Sequence, residues 1–126
     1  MPDCLVVDDS RTVRRAARRM LEAKGFSVRE AEDGQQALEA CRAAPPDLVL
    51  LDWNMPVMDG ITFLRLARTE FGPDHPKIML CTTESDFSRI VEALELGAQE
   101  YIMKPFDEDI LAGKLIVLGL LPDEDA

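Results

Sequence analysis

Leu48-Val49-Leu50-Leu51-Asp52-Trp53-Asn54-Met55-Pro56 runs from four consecutive aliphatic residues into an acid and then to a proline. An apolar run this short has the length of a strand. With no polar residue at alternate positions, it must be covered on both faces, as in the middle of a parallel sheet. The pattern recurs on either side. Cys4-Leu5-Val6-Val7 ends in Asp8-Asp9, and Ile78-Met79-Leu80-Cys81 ends in Thr82-Thr83. Ser27 to Ala31 and Tyr101-Ile102-Met103 are shorter strand candidates, the latter followed by Lys104-Pro105. Between these runs the apolar residues take helical spacing: Val13, Ala16, Ala17, Met20 and Leu21, then Ala37, Leu38 and Cys41, then Ile61, Leu64 and Ala67. Five strand–helix units in alternation predict an α/β fold.

Punctuation supports these boundaries. Gly25 and Gly97 fall where helices end, while Asp33, Asp86 and Asp107 stand where a side-chain oxygen caps a helix start. Asp59-Gly60 reads as a turn and helix entry, and Pro45-Pro46 and Gly72 to Pro76 as surface connections, with His75 exposed in the second. A chain of 126 residues suits one domain, expected over residues 1–121 with an acidic tail at 122–126.

Composition narrows the function. Asp and Glu number 24 against 14 Lys and Arg, a net charge of −10 that argues against broad nucleic-acid binding. Cys4, Cys41 and Cys81 lack metal or disulfide spacing and read as reduced core thiols. No apolar run approaches the ~20 residues of a membrane span, so no membrane insertion and a cytoplasmic location are expected.

In a parallel sheet, ligands bind beyond the carboxyl ends of the strands. There the runs deliver Asp8-Asp9, Asp52 with Trp53-Asn54, Thr82-Thr83 and Lys104. Three neighbouring carboxylates need protons or a cation, and an all-oxygen donor set suits Mg²⁺. Asp9 and Asp52 are expected to ligate directly, Asp8 directly or through water, and Asn54 through its backbone carbonyl. Lys104 and Thr82 suit phosphoryl transfer, because charge developing on phosphoryl oxygens needs an ammonium and a hydroxyl as well as the metal. Asp52, central among the strand ends, is the expected nucleophile. No glycine-rich nucleotide loop occurs, so a phosphoprotein or a small activated phosphate is the expected donor.

Val6-Val7-Asp8-Asp9, Leu50 to Gly60, Thr82 and Lys104-Pro105-Phe106 together resemble a response-regulator receiver domain of two-component signalling, particularly the single-domain chemotaxis regulators. The resemblance spans essentially the whole chain. It implies a flavodoxin-like, doubly wound five-stranded parallel sheet in the order 2-1-3-4-5 with five helices. It also implies phosphorylation of Asp52 by a histidine kinase or phosphotransfer protein. Thr82 and Tyr101 would then be switch residues that reshape the face of the fourth helix, fifth strand and fifth helix, where a downstream protein binds. Asn54 and Glu84 would tune hydrolysis of the acyl phosphate, and Lys104-Pro105 would be a cis peptide.

Some readings remain paired. Thr83 replaces a residue that is usually small in the family, so access to Asp52 could be slower. Tyr101 could be packing rather than a switch. Arg11, Arg14, Arg15, Arg18 and Arg19 form a basic face that is either solvated or a docking surface for an acidic kinase or a phosphorylated small molecule. Ile110, Leu111, Leu115, Ile116, Val117, Leu118, Leu120 and Leu121 exceed one helical stripe, leaving an apolar strip for a partner or a second copy. The rival enzyme, a phosphohydrolase of the haloacid-dehalogenase kind, needs an acid two residues after its nucleophile, where this chain has Asn54. A degenerate scaffold would lack an acid, the hydroxyl or the lysine, and all are present. The expectation is therefore a signalling switch that catalyses only its own phosphorylation and dephosphorylation.

Overall fold

A computed structural model describes residues 2–83 and 87–123. Strands β1 (Asp3–Val7), β2 (Ser27–Ala31), β3 (Leu48–Asp52), β4 (Lys77–Thr82) and β5 (Glu100–Met103) alternate with helices α1 (Arg11–Ala23), α2 (Gly34–Ala43), α3 (Gly60–Phe71), α4 (Phe87–Glu95) and α5 (Glu108–Val117). The strands form one sheet in the order β2-β1-β3-β4-β5, all pairs parallel. This is the flavodoxin-like architecture predicted above.

The period-2 alternation of a strand divides its side chains between two cores. Leu5, Val7, Val49, Leu51, Ile78 and Leu80 pack with α2, α3 and α4 residues such as Leu38, Phe63, Leu64 and Ile90. Cys4, Val6, Leu48, Leu50, Met79 and Cys81 pack on the other face with Ala17 and Leu21 of α1 and with Leu111 and Leu115 of α5. All three thiols are buried and free. Burial pushes Cys41 up to about 11 and Cys81 to about 12, so both stay protonated at neutral pH.

Helix starts follow the predicted chemistry. Asp33, Asp59 and Asp107 each accept a hydrogen bond from the amide three residues ahead, at 2.8 to 2.9 Å. Gly25 and Gly97 hold φ of 90° and 112°, a region that glycine enters without a Cβ clash. Asp86, the third expected cap, and Glu84 lie outside the described residues.

Two helices depart from the expectation. In α1 the buried residues are Arg14, Ala17 and Leu21, while Val13 and Met20 are half-buried and Ala16 is exposed. The five arginines therefore do not share one face. Arg14 and Arg18 turn toward Glu30 on β2, whereas Arg11, Arg15 and Arg19 face solvent. At the other end α5 stops at Val117. Gly119 takes φ 76°, the Leu120 amide bonds back to the Leu115 carbonyl at 2.9 Å, and Leu118, Leu120 and Leu121 return to the core. The apolar excess thus belongs largely to a reversed chain end, leaving Ile110 and Val117 as its exposed large side chains.

The loop after β3 contains a strained residue. Val57 has φ 67° and is 83% exposed, so a β-branched side chain occupies the left-handed region with little burial to compensate. Val57→Asn should stabilise the protein by about 1 kcal/mol, because Asn tolerates this region. Thermal unfolding should show Tm rising by about 4 °C. An unchanged or lower Tm would contradict the assigned strain.

Candidate functional site

Sheet register gathers the polar residues. Val7 pairs with Leu51 and Asp52 with Cys81, so Asp8 and Asp52 emerge from adjacent strands. Thr82 closes β4 opposite Met103, and Lys104 follows directly. The order reverses between β1 and β3, the switch point at which an open parallel sheet forms its crevice. Asp9, Asp52, Trp53, Asn54, Thr82, Thr83 and Lys104 line a cleft of about 360 Å³ there.

Asp8, Asp9 and Asp52 can each offer a carboxylate oxygen such that all three lie within 4.8 Å of one another. Asp8 and Asp52 are buried, and Asp9 faces solvent. Among the described residues one ammonium serves this group: Lys104 Nζ stands 3.0 Å from Asp52 Oδ1 and 3.4 Å from Asp8 Oδ2. Three anions against one cation leave a formal excess of two negative charges, and the donors are hard oxygens. That set fits a divalent cation of the Mg²⁺ type.

The backbone at the site is tightly packed. Gly60 donates its amide to the Trp53 carbonyl at 2.9 Å, and a Cβ at Gly60 would stand 2.4 Å from the Asp52 carbonyl oxygen. The first turn of α3 therefore abuts the end of β3, a close approach that only glycine permits. Asp59-Gly60 is indeed a turn and helix entry, yet Gly60 also sets the position of Asp52. Only the turn chemistry was visible from sequence. Arg89 on α4 is a further neighbour that local pattern did not single out. Its Nη1 donates to Asn54 Oδ1 at 3.0 Å, and its guanidinium lies 5.0 Å from the Trp53 ring centroid.

Tyr101 stands apart from the cleft. It is half-buried against the α2–α3–α4 core, with Lys114 Nζ 4.1 Å from its ring centroid. The Lys104–Pro105 peptide bond is cis.

Electrostatics distinguish Asp52 from Lys104. Burial pushes the Asp52 carboxyl above its ordinary value and Asp8 adds repulsion, against the opposing pull of Lys104 and the Trp53 amide. Burial acts on Lys104 too, disfavouring its charge, but the hydrogen bond to Asp52 and the charges of Asp52 and Asp8 outweigh it and raise its pKa. The two directions are compatible. Lys104 meets two carboxylates, whereas Asp52 shares its one cation and meets a second anion.

An open, doubly wound sheet with an acidic trio at its switch point defines a flavodoxin-like domain with a candidate cation site. The sequence pattern of the response regulator receiver domain matches residues 4–116, and the chain belongs to that family. It is 37% identical over 112 residues to the chemotaxis protein CheY of Pseudomonas aeruginosa, covering 88% of this chain and 90% of that one. It is 40% identical over 124 residues to the response regulator MprA of Mycolicibacterium vanbaalenii, covering 97% of this chain and 53% of that longer protein. The solved structure of Vibrio cholerae CheY4 at low pH is similar with a TM-score of 0.86 at 32% identity, over 94% of this chain and 98% of that one. The chain is thus a CheY-like receiver domain of two-component signalling. Its family is one of switches that interact with histidine kinases and downstream targets, generally using Mg²⁺. No helix among the described residues is long and apolar enough to cross a membrane.

Two outcomes follow from this geometry. Gly60→Ala should destabilise the fold by about 1–3 kcal/mol, the usual cost of forced overpacking, and chemical denaturation would measure it. Because the folded Asp52 pKa is raised, the folded state binds more protons than the unfolded chain across the window between the two values. The metal-free protein should therefore lose stability as pH rises from about 3.9, the ordinary aspartate value, through the folded pKa. Asp52→Asn should flatten that slope and melt higher than the wild type at neutral pH in chelator, with Lys104 retaining Asp8. Equal melting profiles would refute the assigned repulsion.

Proposed function

We propose that the chain is a phosphorylation switch in which Asp52 accepts a phosphoryl group from a histidine kinase or phosphotransfer protein. The observation that carries this reading is Asp52 at the cleft, buried yet 3.0 Å from Lys104 and grouped with Asp8 and Asp9. An Asp52 carboxylate oxygen would attack phosphorus; the new P–O bond forms as the bond to the donor imidazole breaks, and the imidazole leaves with the electron pair. Lys104 would neutralise one phosphoryl oxygen and Thr82 would donate its hydroxyl to another. Asp8, Asp9, Asp52 and the Asn54 carbonyl would hold Mg²⁺, which supplies charge neutralisation at the phosphoryl group when bound. Asn54 and Glu84 would tune hydrolysis, returning inorganic phosphate and a free carboxylate.

The output would run through Thr82 and Tyr101 to the α4-β5-α5 face. Phe87, Val91 and Leu94 of α4 and Ile110 of α5 are exposed large apolar side chains available to a protein target. Pairing with a second copy through α5 would rest on Ile110 and Val117. On α1, exposed Arg11, Arg15 and Arg19 would favour an acidic phosphodonor over nucleic acid, which the net charge of −10 repels. We place the switch, residues 1–121 with a tail at 122–126, in the cytoplasm with its kinase.

Intact mass after addition of Mg²⁺ and acetyl phosphate should show one phosphoryl adduct, dependent on Mg²⁺ and absent from Asp52→Asn. Lys104→Ala should slow adduct formation by about tenfold or more, as loss of a fixed charge at a phosphoryl group does. If acetyl phosphate fails, a phosphorylated kinase tests whether Thr83 blocks small donors. No adduct from either would overturn the reading in favour of an unphosphorylated scaffold.

A further inference from the structure

Arg14 is a buried cation that the proposed chemistry does not use. It is only 8% exposed, and burial of a charge is costly unless every contact is well made. Its Nη1 donates to the Asp8 backbone carbonyl at 2.7 Å and its Nε to Glu30 Oε1 at 3.0 Å. Glu32 Oε1 lies 3.8 Å from its Nη2. The other oxygen of Glu30 is taken by Arg18, which also reaches the Val28 carbonyl. A fork between helix and strand thus holds the guanidinium in one orientation.

The carbonyl it grips belongs to the peptide joining Asp8 to Asp9. A peptide unit is rigid and planar, so fixing that oxygen fixes the plane from which both side chains leave. The other groups of Asp8 are held as well: its amide donates to Ala31 at 3.1 Å, and its Oδ1 accepts from the Ser10 amide at 2.8 Å. Arg14 supplies the restraint that comes from α1.

We infer that Arg14, braced by Glu30, is a positioning residue that orients the Asp8-Asp9 peptide and thereby sets the affinity of the acidic trio for its divalent cation. The inference rests on the proposed metal reading and deepens it. It also has an uncommon sign. Removing a positive charge near a cation site should, by Coulomb attraction alone, tighten cation binding. Removing an orienting contact should weaken it. The direction of the change therefore separates geometry from charge.

The test is direct binding of Mn²⁺ to the intact protein, counted by loss of the free-ion electron paramagnetic resonance signal, with Mg²⁺ as competitor and thermal melts in parallel. Arg14→Ala should weaken both ions by about tenfold or more, the usual consequence of losing a contact that orients a metal ligand. Arg14→Lys keeps the charge but cannot span both acceptors, so it should fall between the wild type and Arg14→Ala. Glu30→Gln should shift affinity the same way by less. Unchanged or tighter binding in folded Arg14→Ala, even with a lower Tm, would reduce Arg14 to a structural role and overturn the inference. Should Arg14→Ala fail to fold, Arg14→Lys and Glu30→Gln decide by the same criterion. A wild type that binds neither ion would remove the metal reading and this inference together, whereas a binding wild type with equally binding variants removes the inference alone.

Discussion

Three carboxylates crowd within 4.8 Å while one ammonium, on Lys104, lies 3.0 and 3.4 Å from two of them. At an effective dielectric of about 20, two unit charges 4 Å apart interact by about 4 kcal/mol. Repulsion on this scale would push the strand ends apart unless the backbone beneath them were stiff. The sheet supplies that stiffness. β1 and β3 are central strands paired on both sides, and their side chains fill cores on both faces. Much of the molecule can be understood as the frame that keeps this charge cluster assembled.

The acids at the two ends of the sheet are treated differently. At the amino end, Asp3 meets Arg29 at 2.6 Å and Asp47 accepts the Asp3 amide at 2.8 Å, so each carboxylate has its own donor. At the carboxyl end, the acids share one lysine, and burial raises the Asp52 pKa. The same residue type thus stabilises one edge and leaves the other short of positive charge. The backbone shows a similar contrast, since the left-handed Val57 lies in the loop that follows Asp52. Strain and uncompensated charge together mark the edge where chemistry is expected.

What was legible from sequence follows from how local each signal is. The β3 run carried its own evidence, because a strand covered on both faces has no polar alternation, and its terminal acid came with it. Caps such as Asp33 and Asp107 were readable because their hydrogen bonds span three residues. The helical stripe of α1 departs from its apolar spacing because the burial of Arg14 depends on Glu30, sixteen positions away on β2. Likewise α5 seemed to carry an apolar excess only because a glycine at φ 76° turns Leu120 and Leu121 back to the core. The close approach of Gly60 to Asp52 left no periodic trace at all. Spacing encodes which face of an element is apolar; partners across elements require the fold.

The same division explains why the fold tolerates its site. The two cores are made of side chains that alternate along the strands and end at Val7, Leu51 and Cys81, one residue before the cleft groups Asp8, Asp52 and Thr82 begin. On β3, Asp52 still pairs with Cys81, so the last paired position of the ladder already carries a functional carboxylate. A change in charge there acts on loops and on Lys104 before it reaches the packed interior. Lys104 in turn directly follows β5, a strand of four residues paired only with β4. An edge strand pairs on one side only, so its backbone carries fewer ladder hydrogen bonds than that of a central strand. The acidic centre is thus anchored on two central strands, and its only close ammonium among the described residues directly follows an edge strand.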